Sequence, residues 1–158
     1  NKEHPHCLNS EILIIVFLAF AFFAISKFLK MQKNVQIGQF IDDLRDNVDR
    51  IRAGLQGSDS RDYILPKTIQ YVCFADFKNS SRGIYSGNYS ELKREYSGNE
   101  NLFFYPVSSG YSTSIEIKNI DLKKITSKNN PYCIENKNGK VHLTIKMNYG
   151  ERLATITD

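Results

Sequence analysis

The sequence ILIIVFLAFAFFAI occupies residues 12–25, and SKFL extends this mostly apolar stretch to residue 29. A helix over residues 12–29 rises about 1.5 Å per residue and is roughly 27 Å long, just under the hydrocarbon thickness of a bilayer, about 30 Å. Its apolar side chains surround the helix axis, whereas a helix on a small globular domain needs only one apolar stripe. The stretch therefore predicts a helix that is covered by lipid or by other helices.

This apolar stretch differs from a secretory signal peptide, which has about 7–15 apolar residues before a small-residue cleavage site. Here the stretch ends in the sequence SKFLK at residues 26–30, which contains no A-x-A-like site, and a helical pattern continues through it. We therefore expect the helix to be retained, as a membrane or assembly segment. Its candidate contact residues are Ile12, Ile15, Val16, Phe17, Phe20, Phe22, Phe23, Ile25 and Phe28.

The segment before the apolar stretch is polar. His4, His6 and Cys7 lie close together in it, and these residue types bind metal ions. The simpler interpretation is a polar tail, with Asn9 or Ser10 as the N-cap of the helix. We predict no metal site here.

The lysines near the apolar stretch bear on its orientation. Lys27, Lys30 and Lys33 follow the stretch, whereas Lys2 precedes it. The positive-inside rule then places the C-terminal part of the chain in the cytoplasm. The chain begins with Asn1 rather than Met, which indicates processing, trimming or a missing start, and a removed basic leader would change the count. Both orientations stay open at this point.

Beyond residue 30 the apolar residues become sparse and recur at spacings of three, four and seven, the period of one helix face. The opposite face is charged, with pairs at helical spacing such as Asp46 and Arg50. Residues 31–57 therefore predict an amphipathic continuation of the same helix, which ends near Leu55. We expect its stripe to pack on the following domain through Ile37, Phe40, Ile41, Leu44, Val48 and Ile51. Because no Gly/Ser/Pro-rich linker intervenes, we expect helix and domain to form one rigid unit.

From residue 58 onward, apolar and polar residues alternate with the period of a β-strand. Asn138-Gly139 favours the two-residue turn of a β-hairpin, and the glycines and serines of residues 54–60 indicate a loop. The predicted strands are residues 69–77, 102–105, 111–117, 133–137, 140–147 and 153–157. The fold class is therefore α+β, with residues 1–57 forming the tail and the long helix. Residues 58–158 form an antiparallel sheet of about four to six strands, packed on the C-terminal half of the helix.

Two features of the β-rich part concern its compartment. Asn79 and Asn88 begin N-x-S sequons in residues 78–100, which we expect to be a long exposed excursion with one helical turn, and glycosylation there would require an extracellular domain. Cys73 and Cys133 fall on two predicted strands of the sheet. They either form a disulfide in an oxidising compartment or are small buried hydrophobic residues.

Catalytic and binding motifs are missing from the sequence. It contains no P-loop, dinucleotide-binding, zincin or nucleophile-elbow pattern, and its three cysteines follow no metal or redox spacing. His142 is the one histidine of residues 58–158 and alternates outward on a strand, where histidine is typical of plain surface. The net charge of +4 is modest and the basic residues are scattered, which argues against nucleic acid. We predict a protein that is not an enzyme and has no catalytic residue, cofactor or metal.

The order of hydrophobic helix segment, amphipathic continuation and C-terminal β-domain resembles the type IV pilins of archaea. In that family the hydrophobic segment anchors the subunit in the membrane before assembly and later packs with its copies in the filament core. The resemblance implies a structural subunit of a cell-surface filament used in adhesion, with its β-domain exposed and copies of itself as partners.

An alternative is a single-pass membrane protein whose β-domain binds a partner or serves as an accessory subunit of a membrane complex. A more distant alternative is an enzyme on a membrane anchor. Phe and Ile side chains of the apolar stretch suit lipid and helix–helix packing equally well, so composition does not distinguish these hypotheses.

Overall fold

A computed structural model describes residues 5–107 and 114–158, with the backbone alone for residues 5–9. It has the predicted α+β architecture, in which a long N-terminal helix precedes antiparallel β-sheets. The candidate metal ligands of the tail, His4, His6 and Cys7, lie outside the residues whose side chains are described.

The first helix, α1, spans Pro5–Ala53. It begins before the predicted N-cap at Asn9 or Ser10, because proline suits the first turn of a helix, where its missing N–H is not needed. The helix ends where Gly54 follows and Leu55 takes a positive φ of 64°, a conformation common after the last turn of a helix.

Contacts within the chain define two compact units, one that reaches to Val35 and one that comprises Gln36–Asp158. The second unit, which we call the β-domain, contains the last part of α1 and all the strands. These strands are β1 (Gly57–Ile64), β2 (Tyr71–Phe74), β3 (Leu102–Tyr105), β4 (Ser114–Ile115), β5 (Tyr132–Glu135), β6 (Lys140–Met147) and β7 (Thr155–Thr157). Two short helices, α2 (Tyr89–Lys93) and α3 (Leu122–Ile125), and a 3-10 turn at Ser86–Asn88 lie between them.

The strands divide between two antiparallel sheets rather than forming the single sheet we predicted. The three-stranded sheet has the order β1-β6-β7, and the four-stranded sheet has the order β4-β3-β2-β5. The predicted strands at residues 69–77, 102–105 and 153–157 correspond to β2, β3 and β7. The first residues of the predicted strand 111–117 lie outside the described residues, and β4 covers Ser114–Ile115.

The turn at Asn138-Gly139 is present, but the strands on its two sides do not form the predicted hairpin. Asn138 and Gly139 have φ values of 55° and 89°, as a type I′ turn requires, and Lys137 and Lys140 exchange backbone hydrogen bonds of 2.8 and 3.2 Å. Beyond that one bridge, β5 pairs with β2 and β6 pairs with β1. The turn therefore joins the two sheets, because each flanking strand has a longer ladder with another partner.

Strand β1 occupies a segment that we predicted in part as a loop. Its sequence, GSDSRDYI, is polar and rich in turn-forming residues, yet it pairs with β6 over its whole length, from Gly57 opposite Met147 to Ile64 opposite Lys140. It lies at the edge of its sheet and buries Tyr63. An edge strand with one face in water accepts such a polar composition, because its neighbour in the sheet determines the pairing.

The main core lies where the last part of α1 meets both sheets. Phe40 is 2% exposed and packs edge-to-face against Tyr63 of the three-stranded sheet and Phe104 of the four-stranded sheet, at centroid distances of 5.4 and 5.8 Å. Leu44 and Val48 continue the contact and are fully buried. One helix stripe thus holds the two sheets together.

The other face of the four-stranded sheet is also covered. Phe103 is fully buried on that face, where Leu92 of α2 and the ring of Phe77 pack over it. Most of residues 78–100 are exposed, as predicted for this excursion, and the predicted helical turn is present as α2. Leu92 anchors this segment because it is the apolar side chain that α2 turns toward the sheet, and it is 0% exposed.

Candidate functional sites

The apolar segment of α1 has an exposed surface on every side. Its nine candidate contact residues range from 57% exposed at Ile12 and Ile25 to 75% exposed at Phe22. Within residues 5–107 and 114–158, α1 is the one helix long and apolar enough to cross a membrane. Fully covering a Val, Leu, Ile or Phe side chain contributes about 1.5–3 kcal/mol, so covering all nine would contribute roughly 14–27 kcal/mol. The segment is a candidate site for association with lipid or protein.

The later part of α1 contrasts with that segment. Its six predicted packing residues, Ile37, Phe40, Ile41, Leu44, Val48 and Ile51, are between 0% and 9% exposed. The charged residues of the opposite face stay in water, and Arg50 pairs with Asp59 of β1 at 2.9 Å. Within this part, the two sheets of the β-domain therefore cover one side of the helix.

The two cysteines of the β-domain form a disulfide, Cys73–Cys133. The two residues lie directly opposite each other on β2 and β5, so the sheet register alone brings them together. Of the two sequon asparagines, Asn79 is exposed and its Nδ2 donates a hydrogen bond of 2.7 Å to Asp76 Oδ2, whereas Asn88 is half-buried.

A group of four polar side chains lies on the outer face of the β1–β6 ladder, and we call it the polar array. It consists of Ser60 and Asp62 from β1 with His142 and Thr144 from β6. Ser60 Oγ lies 2.9 Å from His142 Nε2 and 2.9 Å from Thr144 Oγ1, and His142 Nδ1 lies 2.7 Å from Asp62 Oδ1. Both nitrogens of the imidazole are therefore engaged, one by a carboxylate and the other by a hydroxyl.

The carboxylate determines the direction of these hydrogen bonds. An ionised Asp62 only accepts, so the neutral imidazole of His142 carries its proton on Nδ1, and its Nε2 is an acceptor. Ser60 then donates its hydroxyl proton to Nε2, and Thr144 donates to Ser60 Oγ. The sequence order hides this arrangement, because Ser60 and His142 lie 82 positions apart.

A cleft of 390 Å³ begins beside the array. Its lining consists of Asp62, Tyr85, Cys133, Ile134, Glu135, Lys137, Lys140, His142 and Asp158. Burial raises the pKa of the Tyr85 phenol, and the neighbouring Tyr71 adds to the rise, while Glu135, Lys137, Lys140 and Asp158 give the cleft charged groups of both signs. The volume is within the usual range of small-molecule sites, about 300–1,000 Å³.

Sequence reasoning placed His142 on the outer face of its strand and did not find its partners. The available signal was the spacing of Ser60 and Asp62, which puts both side chains on one face of a strand. Because the sequence predicts a loop for residues 54–60, this spacing indicates a shared strand face only once β1 is seen to pair with β6. Within the described residues, no group of three or more His, Cys, Asp or Glu side chains has the geometry of a metal site.

Comparison with protein-family models, curated proteins and solved structures finds no match to this chain. Its function is therefore inferred from three features of the chain itself. These are an α+β fold with a long apolar N-terminal helix, a β-domain with an internal disulfide, and the polar array.

Proposed function

We propose that this chain is a pilin-like structural subunit of a cell-surface filament, which assembles with copies of itself through residues 12–29. The observation that carries the proposal is the exposure of that segment around its full circumference. A helix with this surface is unstable in water and needs a cover of low polarity. In a filament the same segments of neighbouring copies supply that cover, and before assembly the membrane does.

Two further observations support a location at the cell surface. The disulfide Cys73–Cys133 forms and persists in oxidising compartments outside the cytoplasm. Asn79 is an exposed sequon residue and is available to a glycosylation enzyme if its hydrogen bond to Asp76 opens.

The second candidate function is a single-pass membrane protein whose β-domain binds a partner or serves as an accessory subunit. Lys27, Lys30 and Lys33, just after the apolar stretch, favour this hypothesis with the β-domain in the cytoplasm. The two functions differ in what covers Phe17, Phe20 and Phe23, which is either other copies of the chain or lipid.

Mechanical shearing of cells that make the protein distinguishes the two functions. For a filament subunit, the sheared extracellular material contains the chain in high-mass polymers, visible as filaments by electron microscopy. Phe20→Asp abolishes these polymers, because a charged side chain in the packed core of helices has no water and no counter-ion.

The matched control is Phe20→Leu, which keeps an apolar side chain at the same position and therefore retains the polymers. A second control, Lys137→Asp, changes charge on the β-domain and leaves assembly through the helix intact. The proposal is wrong if the wild-type protein stays in the membrane fraction after shearing and is monomeric in detergent.

A further inference from the structure

We propose that Ser60, His142 and Asp62 form a nucleophilic triad that hydrolyses carboxylic esters. The order of the three side chains is that of a serine hydrolase. Ser60 Oγ lies 2.9 Å from His142 Nε2, and Asp62 Oδ1 lies 2.7 Å from His142 Nδ1. This activity is independent of the filament function, because it rests on the outer face of the β-domain and not on α1.

The register of β1 and β6 explains why these four side chains are neighbours, and the direction of their hydrogen bonds is the further feature that a nucleophile needs. Asp62 lies directly opposite His142, and Ser60 lies directly opposite Thr144, so two cross-strand pairs are expected from the register alone. The bond from Ser60 to His142 is diagonal and links the two pairs. It connects the hydroxyl to the one imidazole nitrogen that is free to take its proton.

The steps of ester hydrolysis follow from the hydrogen bond that the Ser60 hydroxyl donates to His142 Nε2. Ser60 Oγ attacks the carbonyl carbon of the ester and forms an Oγ–C bond while its proton passes to His142 Nε2. The C–O bond to the leaving group breaks, and the leaving alcohol takes that proton. Water then attacks the acyl carbon and gives a proton to Nε2, Ser60 Oγ leaves and recovers the proton, and a carboxylic acid is released. Asp62 holds the imidazole in the required tautomer and stabilises its cationic form.

The exposure of these side chains to solvent limits the substrates to esters that are easily hydrolysed. The side chains of His142 and Asp62 are 56% and 55% exposed, and Ser60 is exposed beside them. Activated esters suit such a site, because a phenolate or similar leaving group requires little stabilisation by the protein. The cleft beside His142 is not lined by Ser60, so the substrate reaches the nucleophile on an open surface, and we expect turnover of small esters with a high KM.

The test uses the full chain purified in a maltoside detergent, with a fluorophosphonate as the probe of the nucleophile. We expect one phosphonyl group on Ser60, located by peptide mass spectrometry, and hydrolysis of p-nitrophenyl acetate above the detergent blank. Ser60→Ala loses both signals. His142→Gln lowers kcat by about 10²-fold or more, the usual contribution of a general base.

Ser58→Ala is the matched control, because Ser58 is exposed on the same face of β1, two positions away, and opposite Lys146. It retains labelling and hydrolysis. Asp62→Asn tests the positioning residue: it lowers kcat and leaves KM unchanged, whereas local unfolding of β1 changes both. Thermal unfolding of each variant shows whether the β-domain remains folded.

The absence of a label on Ser60 in the wild-type protein overturns the proposal, and this outcome needs no variant. Equal hydrolysis by wild type and Ser60→Ala also overturns it, since the rate then comes from histidine alone. In either case the polar array only holds β1 to β6, and the filament function stands or falls separately by the shearing experiment.

Discussion

Single asparagine side chains hold loops of the β-domain in place. Asn130 is fully buried and replaces missing backbone partners: its Oδ1 accepts from the Asp76 N–H at 3.0 Å, and its Nδ2 donates to the carbonyls of Asp76 and Ser80 at 2.8 and 3.1 Å. Asn136 is half-buried, and its Nδ2 donates to the carbonyls of Pro66 and Ile69 at 3.0 and 2.7 Å. The amide of Asn130 acts as donor and acceptor and that of Asn136 as a donor, and an apolar substitute at either position would leave backbone groups unpaired.

Tyr132 makes the domain sensitive to alkali. Its hydroxyl donates to Asp158 Oδ1 at 2.7 Å and accepts from the Asp158 N–H at 3.0 Å. Burial, followed by the hydrogen bond to the Asp158 carboxylate, raises the pKa of Tyr132 to about 12. Because the folded pKa lies above the value of about 10 for an unfolded chain, this residue stabilises the fold fully below pH 10 and loses its contribution as the pH rises through 12.

We therefore expect the free energy of unfolding to fall between about pH 10 and pH 12, and to fall less steeply in Tyr132→Phe, which has no phenol to ionise. Urea titrations of the full chain in detergent at several pH values measure this slope. The conservative control is Tyr149→Phe at a highly exposed position, 84% accessible, which leaves the slope of the wild type. Equal slopes for wild type and Tyr132→Phe would contradict the assignment.

At the scale of the element, α1 changes character along its length. Residues 12–29 are apolar on all sides, and their side chains are exposed. From Ile37 onward one stripe is apolar, and the β-domain covers it. The same secondary structure therefore has two roles, which the pattern of apolar positions separates: an all-round surface for association and a one-sided surface for folding.

Truncating one leucine in each part tests this division. Leu44 is 0% exposed within the core and Leu18 is 62% exposed. We expect Leu44→Ala to lower the free energy of unfolding of the β-domain by about 2–5 kcal/mol, because it leaves a cavity between helix and sheets.

Leu18→Ala serves as the matched control, with the same atoms removed, and leaves that free energy within about 0.5 kcal/mol of the wild type. Urea unfolding in detergent, followed by the fluorescence of the nine tyrosines, provides the measurement. If both variants were equally destabilised, the apolar segment would contribute to the stability of the β-domain, and the division would be wrong.

At the scale of the whole molecule, the disulfide and the lysines point to opposite compartments. Cys73 and Cys133 are paired, which is expected outside the cytoplasm, whereas Lys27, Lys30 and Lys33 favour a cytoplasmic β-domain. The filament proposal requires the first of these. The oxidation state of the two cysteines in the cell therefore bears directly on the location of the protein.

Thiol labelling of the protein at the moment of cell lysis tests this location. We expect Cys73 and Cys133 to remain unlabelled by a maleimide until the protein is reduced and unfolded, and then both to be labelled, as read by peptide mass spectrometry. The control is the same treatment after prior reduction. Two thiols already free in the cell would place the β-domain in a reducing compartment and contradict a surface location.

Local patterns predicted the elements that depend on few neighbours. The apolar run and the stripe from Ile37 to Ile51 predicted α1 because helix periodicity is contained in the sequence itself. The apolar residues 102–105 predicted β3, and Asn138-Gly139 predicted the turn between β5 and β6. Each of these features depends on the conformational preference of a few consecutive residues. The six packing residues of the helix follow from the same periodicity.

What only the tertiary structure decided is which strands are partners. The polar residues of β1 form a strand because they pair with β6 along their whole length. Strand β5 pairs with β2 rather than with β6, although only the turn separates β5 from β6 in the chain. Ser60, Asp62 and His142 meet for the same reason. Pairing between segments far apart in the chain is set by competition among ladders and by the packing of α1 on both sheets, and neither is encoded in a local pattern.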